Sequence, residues 1–123
     1  MKGIGIDIIE IGRIKDAVNN YGEKFLRRVY SPTEIKYCTR QKAYRIPELA
    51  VRFAAKEAYS KAMGTGIKGF GRSNRGLEWQ DIEIVNNQDG KPHLSFQGKI
   101  LDNVQVSLSH SRDYAVASVY VES

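Results

Sequence analysis

Arg52-Phe53-Ala54-Ala55-Lys56-Glu57-Ala58-Tyr59-Ser60-Lys61-Ala62-Met63-Gly64-Thr65-Gly66 closes the longest helical stretch of the chain, which opens at Pro47. Proline suits the first turn of a helix, where its missing N–H has no intrahelical partner to lose. Gly64 stops the helix after Met63. Alanine is abundant and apolar side chains fall almost all round the axis, so the pattern predicts a helix wrapped on several sides. The chain has 123 residues, enough for one domain with its own core and short for two. A single domain spanning 1–123 is therefore expected.

The flanking segments supply the wrapping. Ile4, Ile6 and Ile8 alternate with Gly5, Asp7 and Ile9, which predicts a strand with one strongly apolar face and Asp7 on the other. From Ile11 the period lengthens to helical spacing at Ile14, Val18 and Tyr21, and Gly22 ends that helix. Glu23 to Tyr30 reads as a second short helix, and Ser31-Pro32-Thr33-Glu34 has the residues of a capping box, placing a third helix start at Pro32. Lys42 to Arg45 reads as a basic loop, and Ile67 to Gly76, rich in glycine, as a mobile one. Strands are expected at Leu77–Trp79, Ile82–Val85, Pro92–Phe96, Val104–Ser109 and Tyr114–Val121, the last two as an antiparallel hairpin. Helices and strands partly segregate along the chain, so the fold class is α+β: an antiparallel sheet against one long buried helix and shorter ones.

Composition narrows the function classes. With 19 Lys plus Arg against 14 Asp plus Glu, the chain carries +5. The surplus is uneven: residues 1–61 hold 13 basic and 7 acidic side chains, residues 62–123 hold 6 and 7. An acidic partner should therefore meet the first half. A nucleic-acid-binding module would want base-stacking aromatics on one basic strand face, but the strands are the less basic half. The one cysteine, Cys38, excludes an internal disulfide and suits a reducing, cytoplasmic setting. No segment approaches the ~18–20 apolar residues of a membrane span.

Within the long helix Glu57 shares a face with Ala50, Phe53 and Ala54, and Lys61 lies one turn on. On pattern alone this is an i,i+4 surface pair worth ~0.2–0.5 kcal/mol. Asp7 shifts that reading. Two carboxylates, one on a strand and one on an apolar helix, are costly to bury unless they share a cation or hydrogen-bond donors. Mg²⁺ held by one or two carboxylates, with waters and substrate phosphates completing the shell, is the usual arrangement. Gly64-Thr65-Gly66 allows backbone N–H groups near a phosphate, although a glycine helix stop explains Gly64 equally well. His110 stands among Ser107, Ser109 and Ser111, which by itself is no catalytic triad.

Three blocks in register carry a resemblance: Gly5-Ile6-Asp7-Ile8-Ile9-Glu10-Ile11, then Arg52 through Gly66, then Ser107-Leu108-Ser109-His110-Ser111 to Tyr114-Ala115-Val116-Ala117. Together they resemble the holo-acyl-carrier-protein synthase family, the small bacterial 4′-phosphopantetheinyl transferases, over essentially the whole chain. The resemblance implies transfer of the phosphopantetheine arm of coenzyme A to a serine of apo acyl carrier protein, with Mg²⁺, releasing adenosine 3′,5′-bisphosphate. It implies a role in fatty acid biosynthesis and a homotrimer with active sites between subunits.

Carried over by motif, Asp7 and Glu57 would hold the metal, while Glu57, directly or through a water, would take the serine proton. Lys61 would face the diphosphate and stabilise or protonate the leaving phosphate. Arg52, His110 and Gly64, Thr65 and Gly66 would hold coenzyme A, with Arg45 beside them; Lys42 and Arg45 do not align unambiguously with the family's basic pair at the adenosine 3′-phosphate. Arg13, Phe25 and Arg28 would dock the acidic carrier protein. A Mg²⁺-dependent phosphohydrolase would share Asp7 and Glu57, and only its products would set it apart.

Overall fold

The computed structural model describes residues 3–40, 43–67 and 77–122. Strand β1 (Gly3–Glu10) leads directly into helices α1 (Ile11–Tyr21), α2 (Glu23–Val29) and α3 (Pro32–Cys38), followed by the long helix α4 (Ile46–Met63). A short 3₁₀ turn (Trp79–Asp81) opens the β half, with β2 (Ile82–Asn86), β3 (Pro92–Phe96), β4 (Lys99–Ile100), β5 (Val104–His110) and β6 (Tyr114–Val121). The expected strand at Leu77–Trp79 is replaced by a single bridge from Leu77 to Ile67 and the 3₁₀ turn. Most of the expected glycine-rich loop, and Lys42, lie outside the described residues.

Two three-stranded antiparallel sheets form, in the orders β1-β6-β5 and β2-β3-β4. The α+β class is as expected, and α4 is its centre. Leu49, Ala50, Ala54, Ala55 and Ala58 on this helix are fully buried, as are Ala115, Ala117 and Val119 on β6. Small side chains on both surfaces bring helix and sheet together closely, and Phe53, Trp79, Ile82 and Leu94 belong to the same buried core.

β1 is oriented the opposite way from a simple amphipathic reading. Its isoleucine face, Ile4, Ile6 and Ile8, is 63–72% exposed. The glycine face is the one that meets α4. A Cβ on Gly3 would lie 2.2 Å from the Ala62 carbonyl oxygen, and one on Gly5 would lie 1.9 Å from that of Ala58. Only glycine allows such backbone contact. The period-two alternation then places Asp7, next on that face, against the same helix.

The capping box at the start of α3 forms as expected, with Ser31 Oγ accepting from the Glu34 amide and Glu34 Oε1 accepting from the Ser31 amide. Glu34 is also fully buried and paired with Lys56 at 2.6 Å. No helix among the described residues is long and apolar enough to cross a membrane.

Candidate active site

Asp7 and Glu57 line one cleft of about 390 Å³, together with Arg13, Ile14, Phe25 and Phe53. β1 supplies Asp7, α4 supplies Glu57, and α1 and α2 supply Arg13 and Phe25. The approach of β1 to α4 through its glycines is therefore what joins the two carboxylates. Burial, and next the charge of Asp7, push the Glu57 carboxyl up to about 7, with Lys61 and Arg13 pulling the other way. The α4 face that pattern alone could assign to solvent thus carries a carboxyl poised to exchange a proton near neutral pH.

Lys61, one turn on from Glu57, already has a partner. Its Nζ donates to Asp7 Oδ1 at 2.9 Å and to the Ile6 carbonyl at 3.1 Å. Asp7 is 12% exposed while Lys61 is 55% exposed, so the lysine can leave the pair more readily than the carboxylate can. Asp7 and Glu57 are hard oxygen donors facing one cleft, and mutual repulsion raises the pKa of one of them. That donor set fits a hard divalent cation such as Mg²⁺. No cluster of three or more metal-binding side chains occurs among the described residues, so waters and substrate would complete any shell.

Beside this cleft, Ala17, Tyr21, Lys24, Phe25 and Arg28 line a second groove between α1 and α2. All three residues expected to dock the carrier protein, Arg13, Phe25 and Arg28, consequently border one continuous surface.

The residues expected to hold coenzyme A fall elsewhere. Arg52 and His110 line a cleft of about 350 Å³ with Tyr37, Glu48, Asn86 and the strand β5. This cleft shares no lining residue with the Asp7–Glu57 cleft. Arg52 and Glu57 are five residues apart on one helix, so they project about 140° apart around its axis. Arg52 is 2% exposed, lies over the Tyr37 ring at 4.6 Å and donates to the Glu48 carbonyl at 3.1 Å. Its Nε is buried without a hydrogen-bond partner among the described residues, an orphan donor in a cleft. Arg45 does not line this cleft but reaches its Glu48, with Nε 3.6 Å from Oε2, and Arg40 holds the same carboxylate at 2.7 Å and 3.0 Å.

The glycine turn has a different first duty from phosphate binding. Gly64 is left-handed (φ 74°); its amide donates to the Lys61 carbonyl and the Thr65 amide to that of Ser60. This pair of bonds is a Schellman helix stop, which commits the Gly64 and Thr65 amides to α4 and leaves the Thr65 hydroxyl and Gly66 as the turn's available donors. Tyr37, Glu48 and Asn86 flank Arg52 from three separate elements, and of these neighbours only the i,i+4 spacing of Glu48 and Arg52 is visible in the chain.

A family model for the 4′-phosphopantetheinyl transferase superfamily matches residues 3–119. The chain belongs to this family. Over 97% of its length it is 48% identical to the holo-[acyl-carrier-protein] synthase of Chloroherpeton thalassium, 96% of which is covered. Among solved structures it is similar to the holo-(acyl-carrier-protein) synthase of Bacillus anthracis in complex with CoA (3′,5′-ADP), with 41% identity, TM-score 0.79 and coverage of 98% and 96%. The Helicobacter pylori holo-[acyl-carrier-protein] synthase in complex with coenzyme A is 31% identical, with TM-score 0.78 and coverage of 97% and 99%.

Proposed function

We propose that this protein transfers the 4′-phosphopantetheine group of coenzyme A to a serine of apo acyl carrier protein, releasing adenosine 3′,5′-bisphosphate and supplying holo carrier protein to fatty acid biosynthesis. The observation that carries this reading is the shared cleft of Asp7, Glu57, Arg13 and Phe25, where a proton acceptor adjoins a basic and apolar docking surface. A Mg²⁺ ion held by Asp7 and Glu57 would neutralise phosphoryl charge.

Glu57, directly or through a water, accepts the proton of the attacking serine. The serine oxygen bonds to the β-phosphorus of coenzyme A as the bond from that phosphorus to the bridging oxygen breaks. Lys61 turns from Asp7 to the leaving phosphate and stabilises its charge. Arg13 and Arg28 steer the acidic carrier protein, and Phe25 anchors it.

Arg52, His110 and Arg45, with Thr65 and Gly66, hold coenzyme A. Since Arg52 and His110 line a cleft separate from that of Glu57, a complete site is built from two copies. The exposed faces of Ile4, Ile6 and Ile8, beside Val116 and Tyr120 on β6, give each copy an apolar sheet surface for that assembly. The family resemblance implies that this assembly is a homotrimer, working in the cytoplasm, where the buried thiol of Cys38 stays reduced.

The test is the intact mass of an apo acyl carrier protein after incubation with coenzyme A, Mg²⁺ and this protein. A gain of one phosphopantetheine group is expected. Release of phosphate with an unmodified carrier protein would instead make it a phosphohydrolase.

A further inference from the structure

Lys56 precedes Glu57 in the sequence, yet it is buried on another side of α4, with its side chain and that of Glu34 both 0% exposed. Its ammonium has three N–H groups and three acceptors: Glu34 Oε1 at 2.6 Å, the Val29 carbonyl at 2.7 Å and the Trp79 carbonyl at 3.3 Å. Val29 is the last residue of α2, so its carbonyl is one of those a helix end leaves without a backbone partner. Glu34 in turn caps α3 and accepts the Ile84 amide of β2 at 3.0 Å. One ammonium therefore ties the end of α2, the start of α3, the 3₁₀ turn and β2 to the residue before the proton acceptor.

The tie continues toward the cleft. Tyr30, next after α2, donates its hydroxyl to the Leu49 carbonyl at 2.7 Å, a second anchor on α4. Phe25 packs edge-on against Tyr30, with ring centroids 6.1 Å apart at 80°. Phe25 also lines the cleft of Asp7 and Glu57. A buried ion pair is a poor route to stability alone, because well-packed apolar residues often do as well or better. It does fix position, since three acceptors from three segments converge on one atom.

We propose that Lys56 is a positioning residue: with Glu34 it sets the placement of α2, and so of Phe25 and Arg28, relative to Glu57, and thereby tunes productive docking of the acidic carrier protein without touching either substrate. This rests on the reading of the Arg13–Phe25–Arg28 surface as the carrier-protein site.

The test compares Lys56→Met, which strands the Glu34 carboxylate, with the double variant Lys56→Met/Glu34→Leu, which removes both charges together. Each is measured for thermal midpoint, coenzyme A affinity by calorimetry, and kcat and KM for the carrier protein. The double variant is expected to stay folded and to bind coenzyme A within about twofold of wild type, while kcat/KM for the carrier protein falls about tenfold or more. Native melting with kcat/KM for the carrier protein within about twofold of wild type would overturn the proposal. So would parallel losses of coenzyme A affinity and carrier-protein turnover, which mark a merely structural role. If the double variant does not fold, Glu34→Gln, which keeps one acceptor oxygen for the Ser31 cap and Lys56 and gives up the one facing the Ile84 amide, is read by the same split with the same outcomes. Phe25→Ala distinguishes the layers: no effect on the carrier-protein KM would remove the docking reading itself, whereas a clear effect there with none from the Lys56 variants removes only this inference.

Discussion

Gly5 of β1 and Ala58 of α4 meet backbone to backbone, so that a Cβ on Gly5 would fall 1.9 Å from the Ala58 carbonyl oxygen. This contact sets the spacing of the two elements that carry Asp7 and Glu57. Gly5→Ala is expected to cost about 1–3 kcal/mol or more, as overpacking of a rigid backbone contact does, and to cut turnover beyond the loss of folded protein. Gly12→Ala is the control. Nothing lies within 4 Å of its added Cβ, and in a helix the change should stabilise by ~0.5–1 kcal/mol. Thermal melts with activity per folded molecule check both.

Asp7 and Lys61 act in opposite directions on Glu57. In chelator-treated protein, the Glu57 carboxyl should titrate near 7 when followed by NMR. Asp7→Asn should lower that midpoint, and Lys61→Met should raise it. Either shift in the reverse direction contradicts the electrostatic account of the cleft.

The same raised pKa fixes a stability sign. A carboxyl whose folded pKa, about 7, lies above its unfolded value of 4.5 binds its proton more tightly when folded. Its contribution is most favourable below the unfolded pKa and is lost as pH rises through the folded one. Glu57→Gln should therefore melt higher than wild type above pH 7, by on the order of a few degrees. The gap should close toward pH 4. Melting curves in chelator across that range test it.

These positions also show what a sequence can and cannot reveal. The end of α4, the bounds of β3 and β6, and the capping box at Ser31 and Glu34 follow from local patterns of glycine, proline and periodicity and form where expected, while α4 opens at Ile46, one residue before the expected Pro47. The facing of β1 does not follow. Ile4, Ile6 and Ile8 suggest an inward apolar face, whereas closeness to α4 requires glycine on that side and leaves the isoleucines outside. Lys56 reads as one more charge in a charged helix because its acceptors come from Val29, Glu34 and Trp79, distant along the chain. Similarly, the separation of Arg52 from Glu57 into two clefts depends on how Tyr37, Asn86 and β5 pack, which no local spacing encodes.

The outer sheet face offers its own test. Ile6 is 63% exposed and pairs with Ser118 at the middle of the β1–β6 ladder. Ile6→Glu should leave the chain folded, because the side chain faces away from α4. It should also shift the sedimentation coefficient from an oligomer to a monomer and abolish turnover. A monomeric wild type, or a fully active monomeric variant, would contradict assembly through this face.

The most direct test of the account is complementation between two disabled chains. Glu57→Gln removes the proton acceptor from one cleft, and Arg52→Ala/His110→Ala disables the other. Each homo-oligomer alone should be nearly inactive. Co-expressed and purified through two different tags, which leaves only mixed trimers, they should recover about a third of wild-type turnover, since one of the three interfaces in every mixed ring joins an intact Glu57 cleft to an intact Arg52–His110 cleft. Turnover no higher than that of either variant alone would show that Glu57, Arg52 and His110 must belong to one chain, contradicting a site built from two copies.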